Sequence, residues 1–112
     1  MSLEIEHFEK DFRLIIKLEG YLDMSTFKEF EIYTLKLIKP ETKKLGINLQ
    51  KCKAIDSSGM GCLIRLTNEL KKRNIEFSLF DIPSNIKGII RISKIESYLT
   101  IEDSESFFKD SE

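Results

Sequence analysis

Leu45-Gly46-Ile47-Asn48-Leu49 is an apolar run, and Asp56-Ser57-Ser58-Gly59-Met60-Gly61 follows it across Gln50-Lys51-Cys52-Lys53-Ala54-Ile55. The first run reads as a central strand buried on both faces, interrupted by Asn48. A helix-like pattern begins near Ser58, and Gly59 to Lys72 reads as its body, with Leu63, Leu66 and Leu70 on one stripe. Two hydroxyls therefore stand where a strand gives way to a helix. The first turn of a helix carries N–H groups without intrahelical partners and a partial positive charge, so it accommodates an anion. Small residues at Gly59 and Gly61 would let another protein approach those hydroxyls.

Moving outward, Lys71-Lys72-Arg73 places positive charge at the end of this helix, and Asn74 can take the left-handed conformation that closes one. Ile75, Phe77 and Leu79 alternate as a strand, and Pro83-Ser84 opens a third helix through about Ile92. Tyr98–Ile101 is expected to form a short terminal strand and Ser104–Phe108 a last helical turn before an acidic tail. Upstream, Leu3–Glu9 and Phe12–Leu18 read as a hairpin about Lys10-Asp11, with Phe12, Leu14, Ile16 and Leu18 on one face and Gly20 ending the second strand. Thr26 and Glu29 fit a capping box for a first helix whose apolar residues are Phe27, Phe30, Leu37 and Ile38, stopped by Pro40. Ile32, Tyr33 and Leu35 add apolar surface, read either as a wide buried stripe or as a patch for a partner. This order implies one α/β domain over 1–112, with a mixed sheet of four to five strands and helices packed mainly on one face.

Composition narrows the function. Apolar residues make up 41% and charged residues 33%, with a net charge of −1, which describes a soluble globular chain without a basic stripe for nucleic acid. No apolar run approaches a membrane span and the N-terminus lacks signal-peptide order, so a cytoplasmic protein is expected. Cys52 and Cys62 lie ten apart with one histidine in the whole chain, which suits buried free thiols rather than a metal site. No cofactor is expected. A Ser–His–carboxylate arrangement and a phosphate-binding glycine loop are both missing, which argues against an enzyme.

Among the loop residues, Ser57 and Ser58 read either as helix caps or as modifiable hydroxyls. Asp56 can cap the helix or orient the Ser57 hydroxyl, and Asp23 is either a turn residue or part of a recognition surface. Met60 and Met24 are the apolar residues expected to meet a partner, whereas Leu63, Leu66 and Phe77 are assigned to the core.

The segment Ile47 to Gly61 resembles the signature of the STAS domain and, more narrowly, is similar to bacterial anti-sigma factor antagonists. Glu19-Gly20-Tyr21-Leu22-Asp23 is similar to the family's early turn, and Ile90-Arg91-Ile92-Ser93-Lys94-Ile95 to its late segment, with Lys94 where relatives often carry glycine. The resemblance implies that Ser57 is a phosphate acceptor, supported by Asp23, Asp56, Ser58, Gly59, Met60 and Met24. It implies an anti-sigma factor that is also a serine kinase as partner, bound in the unphosphorylated state with release of a sigma factor, and a serine phosphatase that resets the site. The alternative is a STAS scaffold or ligand-sensing module in another signalling assembly.

Overall fold

The computed structural model describes residues 2–109. β1 (Leu3–Lys10) and β2 (Arg13–Leu22) form a hairpin, α1 (Phe27–Leu37) leads to β3 (Lys44–Ile55), and α2 (Ser57–Lys72) leads to β4 (Glu76–Phe80). α3 (Ser84–Ile92), a 3-10 turn at Glu96–Tyr98 and the short α4 (Ser104–Phe108) complete the chain. The sheet order is β1-β2-β3-β4, with β1 antiparallel to β2 and both later pairings parallel. Each parallel step needs a helical crossover, and α1 and α2 supply them side by side.

Strand alternation explains the core. Leu14, Ile16 and Leu18 of β2, Leu45, Ile47 and Leu49 of β3, and Phe77 and Leu79 of β4 face the helices, where Phe30, Leu63, Leu66, Leu70, Ile86 and Ile90 meet them. The other face holds a second, smaller cluster of Ile15, Phe80 and Phe107. The Phe80 and Phe107 rings stack with centroids 4.9 Å apart. Arg13 Nε and Lys44 Nζ both donate to the Phe107 carbonyl, each at 3.2 Å, and hold α4 on this face. The helices thus lie mainly on one face, as expected, with α4 as the exception.

Several local expectations are corrected. The hairpin turn is Asp11-Phe12, both with positive φ (52° and 65°), so Phe12 leaves the strand and lies exposed at the tip. Gly20 does not end β2. It takes φ 116° at a register shift against β3, and the strand continues to Leu22. The Thr26 side chain makes no capping bond to α1; its hydroxyl donates to the Tyr21 carbonyl at 2.8 Å and accepts from Asp23 N–H at 3.0 Å. Tyr98–Ile101 forms no strand, only the 3-10 turn and one parallel bridge from Ile101 to Leu79. On α1, Leu35 packs against the core, Tyr33 is half-buried with its hydroxyl 2.8 Å from His7 Nδ1, and Ile32 is exposed. The acidic tail beyond Lys109 lies outside the described residues. Asn74 and Lys94 take φ of 59° and 57° at the ends of α2 and α3, so Lys94 adopts the backbone that glycine favours.

Candidate functional site

The site forms where β3 delivers the chain into α2. Asp56 has extended backbone angles (φ −96°, ψ −174°) and is the N-cap of α2. Its Oδ1 accepts from Gly59 N–H at 2.9 Å, while its Oδ2 accepts from Met24 N–H at 3.0 Å. Its backbone N–H donates to the Leu22 carbonyl at 3.2 Å. The β2–α1 loop and the start of α2 are therefore joined through one residue, more than thirty positions from Met24 in sequence.

Ser57 is the first residue of α2 and is exposed; Ser58 is half-buried. The capping role open to the two serines in sequence belongs to Asp56. Neither hydroxyl makes a hydrogen bond with the described residues. Each Asp56 oxygen accepts one backbone donor, and among the described residues no hydrogen bond joins Asp56 to the Ser57 hydroxyl.

Asp23 turns into its own loop. Its Oδ1 accepts from Ser25 N–H at 2.9 Å and from Ser25 Oγ–H at 2.6 Å. The Ser25 hydroxyl bond, more than any other contact, holds the Asp23 carboxyl below the usual carboxylate range. Thr26 closes the same loop through its contacts with Tyr21 and Asp23. Ser25 and Thr26 are the supporting residues that sequence reasoning missed as such. The Asp-x-Ser spacing of a local side-chain turn was the available signal.

Met24 is 75% exposed beside this loop, as expected of a contact residue. Met60 is not. It is 5% exposed and belongs to the core with Leu63 and Leu66. Because α2 begins at Ser57, Met60 opens the same inward stripe three residues ahead of Leu63. Gly59 has a packing role rather than that of a clearing for a partner. It is buried, and a Cβ there would run into the Leu22 carbonyl oxygen and lie 2.8 Å from Ile55 Cγ2. Gly61, half-buried, has only the Arg65 side chain nearby, at 3.4 Å.

Cys52 and Cys62 are buried free thiols. Burial pushes Cys62 up to about 12, which keeps it protonated at neutral pH. No helix among the described residues is long and apolar enough to cross a membrane.

The STAS domain model matches residues 2–107, from β1 through α4. The chain belongs to the STAS domain family. An anti-sigma-B factor antagonist of Staphylococcus aureus is 22% identical over 103 residues, covering 92% of this STAS chain and 95% of the relative. A Thermotoga maritima protein provisionally assigned as an anti-sigma factor antagonist superposes with a TM-score of 0.80 at 14% identity, covering 91% of this chain and 88% of that one. An anti-sigma factor antagonist from Mycobacterium paratuberculosis superposes with a TM-score of 0.79 at 17% identity, covering 89% and 85%. These structural likenesses establish the STAS fold.

Proposed function

We propose that this STAS domain is an anti-sigma factor antagonist gated by phosphorylation of Ser57. Unphosphorylated, it binds an anti-sigma factor that is also a serine kinase, and the bound sigma factor is released. The kinase transfers the γ-phosphate of ATP to the Ser57 hydroxyl and the pair separates; a serine phosphatase restores the hydroxyl. The chain itself supplies no catalysis.

The observation that carries this reading is the Ser57 hydroxyl: exposed, without a hydrogen-bond partner among the described residues, and at the N-terminus of α2. A serine needed for the fold would be committed to a cap, yet Asp56 caps α2 in its place. A phosphate here would add about −1.5 to −2 charges at neutral pH next to helix N–H groups that tolerate an anion. The fold can therefore persist while a partner surface matched to a neutral hydroxyl is lost. The S. aureus relative, matched over nearly its full length, supports the assignment to sigma control.

Incubation with the cognate kinase and ATP, followed by mass spectrometry of the modified peptide, tests it. The expected result is one phosphate on Ser57, absent in Ser57→Ala. Full phosphorylation of Ser57→Ala, with the label on Ser58, would overturn the assignment.

A further inference from the structure

We infer that Asp56 is a positioning residue that latches the β2–α1 loop to the start of α2, so that Met24 and Ser57 are presented to a partner as one surface. The inference rests on the proposed function only for the partner's identity; the latch itself is a property of the chain. A helix cap needs one acceptor, and Asp56 meets that need with Oδ1 on Gly59 N–H. Its Oδ2 does something a cap does not require. It accepts from Met24 N–H at 3.0 Å, in a segment brought there from β2.

The chemistry explains why aspartate suits the position. Two backbone donors converge on one side chain, and an ionised carboxylate offers two acceptor oxygens. Asparagine is an equally good N-cap on its own but offers one oxygen and one NH2. With either amide orientation, one backbone N–H would face a donor. Serine has one short hydroxyl that can serve Gly59 and cannot also reach Met24.

Among the described residues, the other side-chain hydrogen bonds of the loop stay within it and the end of β2. Asp23 bonds Ser25, and Thr26 bonds Tyr21 and Asp23. These contacts shape the loop without tying it to α2. The ties to Asp56 are Leu22 O through the backbone and Met24 N–H through the side chain. Met24 follows directly, with its side chain 75% exposed, so the hydrogen bond fixes the backbone of an exposed apolar residue at the site. An ordered apolar contact binds more tightly than a mobile one because less entropy is lost on docking.

Amide hydrogen exchange on the free chain tests the latch, using Asp56→Ser and Asp56→Asn with thermal melting alongside. In Asp56→Ser the Gly59 amide should stay protected while the Met24 amide exchanges about tenfold faster or more, matching the loss of a charge-assisted hydrogen bond. In Asp56→Asn one of the two amides should lose protection. Met24 exchange at the wild-type rate in both folded variants would overturn the latch. If a variant melts too low to compare, a double-mutant cycle on the full chain decides. Met24→Ala and whichever of Asp56→Ser and Asp56→Asn stays folded should weaken kinase binding non-additively, the pair losing little more than one alone. Strict additivity would overturn it. A wild-type chain that binds no such kinase would refute the proposed function and leave the exchange result to judge the latch.

Discussion

Gly59→Ala is the substitution by which the packing beneath the site can be measured. The added methyl would meet the Leu22 carbonyl oxygen inside any normal contact distance, with Ile55 Cγ2 at 2.8 Å and Leu22 Cγ at 3.0 Å. The carbonyl is backbone at the end of β2 and already accepts from Asp56 N–H, so it cannot simply turn away. Relief requires α2 to lift from the β2–α1 loop. Overpacking of this kind costs about 1–3 kcal/mol. Losing the two Asp56 bonds to Leu22 O and Met24 N–H adds about 1 kcal/mol each, and the better helix propensity of alanine returns at most about 1. The net cost is about 2–4 kcal/mol, which lowers the melting temperature of a domain this size by on the order of 10 °C. Gly61→Ala is the matched control, since only the movable Arg65 guanidinium lies nearby at 3.4 Å. It should melt at or slightly above wild type. Differential scanning calorimetry compares the three chains, and kinase pull-down follows the site. Wild-type melting and binding by Gly59→Ala would refute the packing described for the start of α2.

Met60→Lys should destabilise the domain by about 2–5 kcal/mol in chemical denaturation, because it places a charge in the stripe shared with Leu63 and Leu66. Lys94→Gly should raise stability by about 0.5–1 kcal/mol by the same measure, since φ of 57° strains a side-chain-bearing residue. Cys62, whose burial pushes it up to about 12, should resist iodoacetamide at pH 8 in the native chain and react once unfolded in urea. The sign follows from the neutral thiol being favoured by folding. The contribution is fully present below the unfolded thiol's ordinary range and is lost as pH rises from there towards about 12.

The succession of strands and helices along the chain was legible because its signals are local and repeated. Alternation in β2 and β4, the Leu63-Leu66-Leu70 stripe and the Pro83-Ser84 start each report on their own element. The site was legible in part. Ser57 and Met24, both named from the sequence, lie exposed. Met60 was misplaced because it was grouped with the loop before α2, although it falls inside the helix three residues ahead of Leu63. The division of labour at Asp56 was not legible. It depends on a hydrogen bond to Met24 N–H that exists only after β2, α1 and β3 have folded together. The role of Gly59 was hidden for the same reason, since the carbonyl that excludes a side chain belongs to Leu22. Phe12 and Gly20 misled because positive φ in a turn or a bulge is set by neighbouring strands.

Isothermal titration of the cognate kinase with the unphosphorylated chain, and again with the chain stoichiometrically phosphorylated on Ser57, measures the proposed switch. Phosphorylation should weaken binding by about tenfold or more, since it sets an anion in an interface formed around a free hydroxyl. Circular dichroism should show the same fold in both forms. Ser57→Asp should fall between them, having less charge and fewer acceptor oxygens. Equal or tighter binding by the phosphorylated chain would contradict a switch at Ser57.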